Sequence, residues 1–182
     1  MPNANVRVYL GGQVFRAPLG TPLPATPTAE LDPAFENLGI LTDDGITDDP
    51  GRGAKNILAL GGQNVRTYVE TEEPTVKVTC LEENAVVQSI VNPGGVPVTE
   101  DGITTTTRAR WEPNPGVFVV KGKDGDVHDL YGFSGEVADV GPRVKKADAA
   151  TRELTIAVYP DDDGNYGTDI TDDPAQAVAT GS

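Results

Sequence analysis

The hydrophobic pattern changes period between residues 75 and 91, and the rest of the chain is best read around that change. Val76, Val78 and Cys80 alternate with Thr75, Lys77 and Thr79, the period-two signature of a strand with one buried face. Val86, Val87, Ile90 and Val91 then fall on one stripe at helical spacing, away from Glu82, Asn84 and Gln88. Thr79-Cys80-Leu81-Glu82 has the spacing of a capping box, and Glu82 and Glu83 suit the positive end of a helix dipole. Asn92-Pro93-Gly94-Gly95 supplies the stop. The β-branched residues at 86–91 would suit a strand, but the cap and stop signals predict a short helix at about 80–91, with Val86, Val87, Ile90 and Val91 as its packing stripe.

Most other periodic runs have period two. Asn5 to Leu10 and Gln13 to Ala17, joined by Gly11-Gly12, read as an N-terminal β-hairpin. A short turn or strand is expected at Asn56 to Leu60. Asn64 to Glu70 alternates next, and with the strand at 75–80 it predicts a hairpin over 64–80, whose Glu70, Glu72 and Glu73 make a local acidic tip. Further strands are expected at Thr104 to Trp111, Val117 to Lys121, Val127 to Tyr131, Gly135 to Val140 and Arg152 to Tyr159, with a short edge at Arg143 to Lys146. Trp111, followed by Pro113 and Pro115, reads as a cap on the core at a strand end.

Between residues 18 and 53 regular periodicity lapses. Pro18, Pro22, Pro24 and Pro27 break any ladder, yet Leu19, Leu23, Leu31, Phe35, Leu38, Ile40, Leu41 and Ile46 recur along the segment. A solvated linker has no need of so many apolar side chains, so this reads as an extended arm that docks, on another subunit. Residues 1–160 form one domain on this reading, and 161–182 an acidic, poorly ordered tail.

Composition narrows the chemistry. The chain has 182 residues, abundant Gly and Pro, few aromatics and a net charge of −14. That charge argues against holding nucleic acid by attraction to its phosphates, whereas an acidic wall lets a polyanion pass without sticking. The single cysteine, Cys80, permits no disulfide within the chain and reads as a buried apolar side chain. One histidine, His128, placed at a turn, removes most nucleophilic and metal designs. No run is long and apolar enough for a membrane helix, no signal peptide is evident, and production in a cytoplasm is expected. The best metal candidate is the run from Asp161, where Asp161, Asp163, Asn165 and Asp172 match ligand positions of a calcium loop; Tyr166 stands where that loop needs glycine. No pair of groups suggests catalysis and no cofactor is implied.

The order of these features resembles the major tail protein, or tail tube protein, of long-tailed bacteriophages, especially those of actinobacteria. The resemblance rests on the N-terminal hairpin running into Ala17-Pro18-Leu19-Gly20-Thr21-Pro22-Leu23-Pro24, then Phe35-Glu36-Asn37-Leu38-Gly39-Ile40-Leu41-Thr42-Asp43-Asp44-Gly45-Ile46, then Asn64-Val65-Arg66 and the strand leading to Glu82-Glu83-Asn84. It covers about residues 5–160. It implies a mainly β fold: a β-sandwich or partial barrel of the tail-tube type, with one short flanking helix and a long N-terminal arm or loop. It also implies a virion protein that is not an enzyme. Such a subunit self-assembles into stacked hexameric rings with an acidic lumen, through which DNA passes without specific binding. Its expected partners are its own copies and the tape measure, distal tail and tail terminator proteins, with no membrane. Glu70, Glu72 and Glu73 are the candidates for an acidic lumen wall or rim. The competing reading is a calcium-dependent β-sandwich binding module, resting on the run from Asp161 and on Trp111.

Overall fold

A computed structural model describes residues 9, 11–95, 97–108, 110–145 and 150–173. The protein is mainly β with one short helix, as the alternation predicts. The principal sheet is antiparallel and follows the order β2 (Glu36–Asn37), β1 (Gly12–Pro18), β9 (Gly116–Asp124), β10 (Val127–Val140), β12 (Ala150–Tyr159), β6 (Thr75–Cys80), β3 (Leu41–Asp49). β13 (Thr168–Asp172) pairs with the first half of β10, and β11 (Val144–Lys145) with β12. The sheet curls until β3 lies against β1. Ile46 Cδ1 reaches Gly12 so closely that a Cβ there would sit 3.2 Å from it.

Alternation along the strands fills the interior. Val76, Val78 and Cys80 of β6 and Leu154, Ile156 and Val158 of β12 face inward beside Val14, Phe118 and Phe133. Phe118 stacks on Phe133 at 5.5 Å, and Phe133 on Tyr131 at 4.8 Å. Val117, Val119 and Leu130 alternate with these and are buried outside that cluster. The 18–35 segment lies over this second face: Leu23 rests on Gly132, and Lys121 Nζ donates to the Ala29 carbonyl at 3.2 Å.

Several expectations are corrected. The arm is not one structureless stretch: β2 and β3 lie within it, Leu38 is fully buried, and Leu41 and Ile46 pack against the core. Leu31 and Phe35 are half-buried, and only Leu19, Leu23 and Ile40 are exposed among the arm's apolar residues. Asp-rich composition hid β3, because a strand at the end of the sheet can carry Asp43, Asp44, Asp48 and Asp49, all exposed, without losing its ladder. Of the N-terminal hairpin, its second run is β1, while its first run, apart from Tyr9, lies outside the described residues.

The helix, α1, is shorter than expected, Ala85–Val91, and its cap is Asn84 rather than Thr79. Thr79 stays in β6, where it pairs with Glu153. Asn84 Oδ1 accepts from Val87 N at 3.0 Å, and Asn84 Nδ2 donates to the Asn37 carbonyl at 3.0 Å, so one amide caps α1 and holds the chain beside β2. Val87 and Ile90 of the predicted stripe are buried, with Val86 and Val91 packed at its edge. Glu83 meets Arg152 at 3.1 Å and Arg143 at 2.7 Å, which ties the entry to α1 to β12.

Elsewhere, the strands expected at 127–131 and 135–140 are one bent strand, β10, with a register shift between Val137 and Asp139. His128 lies on it rather than at a turn. The strand expected from Thr104 to Trp111 contracts to β8 (Ile103–Thr105), which pairs with β7 (Val98–Glu100). Trp111 is half exposed and caps no core. Residues 161–173 are not a loose tail, since β13 pairs with β10 from Gly132 to His128; residues 174–182 lie outside the described residues.

These placements predict distinct costs in urea denaturation. Leu38→Ala should lose about 3 kcal/mol, the cost of a cavity in a packed core, and Asn84→Ala about 1 kcal/mol, that of a lost N-cap. A Leu38→Ala variant as stable as the parent would put Leu38 outside the core.

Candidate functional site

The feature that no core explains lies between β3 and β6. These two strands continue as β4 (Arg52–Leu58) and β5 (Asn64–Glu72), which among the described residues pair only with each other. Residues 41–80 thus form one long hairpin in two halves. The lower half belongs to the principal sheet; the upper half leaves it. This replaces the hairpin expected over 64–80, because β5 pairs with β4 and β6 pairs with β3 and β12.

The break between the halves is made by Pro50 and Pro74, which carry no backbone N–H for a ladder. Asp49 Oδ1 accepts from Gly51 N at 2.9 Å, and Glu73 N donates to the Gly51 carbonyl at 3.1 Å. Gly51 has φ +58, and a Cβ there would stand 1.9 Å from the Glu73 carbonyl oxygen. Only glycine fits.

Above the break every residue of β5 is exposed, and so is all of β4 except the half-buried Gly53. Ile57, Leu58, Val65 and Val69 are at least half exposed, and Leu60 at the turn is fully so. Two cross-strand ion pairs, Arg52 with Glu72 at 3.0 Å and Lys55 with Glu70 at 2.8 Å, brace its lower part. Glu70 and Glu72 therefore sit beside cations near the base, and Glu73 at the break, so the three do not form the acidic tip expected of them. The tip is apolar, Leu58-Ala59-Leu60, followed by Gly61-Gly62. Arg66, three residues beyond Gln63, has no ion-pair partner among the described residues.

Carboxylates gather elsewhere. Between β3 on one side and β10 with β13 on the other, the curled sheet opens into a cleft of about 1220 Å³. Leu41, Ile46, Val76 and Val120 form apolar wall, and Asp43, Asp48, Asp129 and Asp169 stand around it. Asp48, Asp129 and Asp169 share the inward parity of Val76, Tyr131 and Phe133 in their ladders. Tyr9 donates to Asp129 Oδ2, and Tyr131 donates to the Tyr166 carbonyl at 2.7 Å. Loss of surrounding water, then Asp48 and Asp129, raises the Asp169 pKa. Burial, then Asp48 and Asp169, pushes Tyr131 up to about 12. No signal of period or motif in the sequence brings Asp48, Asp129 and Asp169 together: the pairing of β10 with β13 sets Asp129 beside Asp169, and the curl of the sheet brings Asp48 across from β3.

The calcium candidates do not converge. Asp161 Oδ1 accepts from Asp163 N at 3.0 Å and from Asn165 N at 2.8 Å, closing a local turn. Asp172 lies in β13, opposite His128. No cluster of three metal-ligating side chains occurs among the described residues. Cys80 is buried, which raises its thiol to about 11. Among the described residues no helix is long and apolar enough to cross a membrane. No protein-family model matches the chain, and a search of characterised proteins returns no significant relative.

The cleft makes a pH prediction. Asp169 holds its proton more tightly in the fold than in the unfolded chain. It therefore opposes folding at neutral pH, and that penalty is relieved as pH falls through its raised value. Asp169→Asn should raise the melting temperature at pH 7 and flatten the gain in stability as pH falls from the raised value toward the ordinary carboxylate range. A variant that melts below the parent at pH 7 would contradict the assignment.

Proposed function

We propose that the chain is a structural subunit that self-assembles into a hollow tube, the tail tube of a long-tailed bacteriophage, without catalysis. The observation that carries this is the upper half of the long hairpin. An isolated two-stranded ladder is marginal in water, and this one exposes Ile57, Leu58, Leu60, Val65 and Val69 with both outer edges unpaired by any strand among the described residues. A ladder of that kind needs a partner, and identical copies supply one when strands of neighbouring subunits join edge to edge into a closed barrel. Such a contact is heterologous, so it closes a ring, and rings can stack. The net charge of −14 suits a conduit for DNA. On this reading the natural setting is a virion tail, with stacked hexameric rings and contacts to tape measure, distal tail and terminator proteins at the tube's core and ends.

The arm contributes differently from the sequence expectation. Its 18–35 part already covers a sheet face of its own chain, and its exposed Leu19 and Ile40 are what remain for neighbours.

The test separates folding from assembly. Gly53 and Thr71 are Cα partners, so residues 54–70 can be replaced by Asn-Gly, the turn that suits a two-residue hairpin. Negative-stain microscopy and light scattering of the parent should give rings or banded tubes as concentration rises. The shortened variant should stay monomeric while melting within about 3 °C of the parent. Rings or tubes formed equally well by the shortened variant would remove the hairpin from the assembly.

A further inference from the structure

We propose that the apolar tip of the hairpin, with Arg66, docks into the acidic cleft of the next copy of the chain. This rests on the self-assembly reading and names its receiving surface. The two surfaces are complementary in three respects.

The first is charge. The hairpin carries Arg52, Lys55 and Arg66 against Glu70 and Glu72, in a chain of net charge −14. Glu70 and Glu72 are matched by Lys55 and Arg52, which leaves Arg66 as its cation with no ion-pair partner among the described residues. The cleft presents Asp43, Asp48, Asp129 and Asp169, while the wall residue Lys121 turns its ammonium to the Ala29 carbonyl on the other face of β9. Like-charged surfaces of two acidic copies repel elsewhere; here the signs are opposite, which selects this pairing.

The second is polarity. Leu58 and Leu60 would leave water for the apolar wall of Leu41, Ile46, Val76 and Val120. Burying a leucine side chain is worth about 2 kcal/mol, so two supply a useful part of an interface. Arg66, behind them, then reaches the carboxylate rim.

The third is size and reach. A cleft of about 1220 Å³ exceeds the range of about 300–1,000 Å³ usual for small-molecule pockets and suits a polypeptide turn. Among the described residues, none of the upper half of the hairpin, β4, β5 and the turn between them, lines the cleft of its own chain. At about 3.3 Å per residue, the ladder carries Leu60 roughly 25 Å beyond Arg52, a distance that places it on a neighbour. Tip and cleft are different surfaces, so the contact is head-to-tail and propagates.

Two measurements on the full chain test this. A variant with Leu60→Cys and Asp43→Cys, treated with a short bis-maleimide after assembly, should give a ladder of cross-linked dimers, trimers and higher species on a denaturing gel. Each single-cysteine variant should stop at dimers. Cys80 is buried and stays out of the reaction. Separately, Arg66→Asp should raise the concentration for half-assembly about tenfold, and adding Asp48→Arg should bring it back. Assembly that proceeds with no ladder and no charge-swap recovery overturns the tip-in-cleft contact while leaving self-assembly standing. A parent chain that stays monomeric at every concentration overturns self-assembly, and this contact with it.

Discussion

The protein's most exposed feature depends on a place where no side chain can fit. At Gly51 the backbone turns through a left-handed conformation beside the Glu73 carbonyl, and Pro50 and Pro74 withdraw their donors from the ladder at the same level. A continuous ladder from residue 41 to residue 80 would follow the curl of the principal sheet. The break frees the upper half to leave it, with Asp49 and Glu73 supplying the hydrogen bonds that hold the new direction. Core and projection are thereby made from the same two strands. The lower half contributes Val76, Val78 and Cys80 to the interior; the upper half contributes nothing to it.

That division accounts for what was legible in the sequence. Strands with one buried face, such as β6 and β12, announce themselves by alternation, and both emerge at nearly the predicted bounds. Alternation alone does not report burial: β5, expected from its alternation at Asn64 to Glu70, is exposed throughout. β9 buries consecutive residues because the 18–35 segment covers its second face, and β3 reads as loop because four of its nine residues are aspartates. Sequence proximity favours a hairpin over 64–80, whereas β5 pairs with β4, and only the paired prolines signal that two ladders are stacked end to end. The helix cap shows a different limit. Thr79 and Asn84 both offer a capping oxygen, and the choice went to Asn84 because Thr79 is held in the ladder with β12, a contact remote in sequence.

The candidate surfaces were legible in unequal measure. The apolar residues of the hairpin could be read directly, though not their exposure. Glu70 and Glu72 looked like an acidic patch because Lys55 and Arg52, which neutralise them, lie fifteen and twenty residues earlier. The opposite error hid the true concentration of carboxylates: Asp48, Asp129 and Asp169 belong to three strands far apart in sequence, two of them joined by the β10–β13 ladder and the third brought in by the curl of the sheet.

The hairpin's ladder also slips twice, between Gly53 and Ala54 and between Ile57 and Leu58, where β5 holds an extra residue, Glu70 and then Val65. Each bulge increases the local twist and interrupts the even spacing of donors and acceptors along the edge. A flat strand from a misfolded chain cannot follow such an edge for more than a few residues, whereas a copy bearing the same twist can. An exposed apolar ladder is ordinarily the seed of a fibril; irregularities this small make it selective for its own kind.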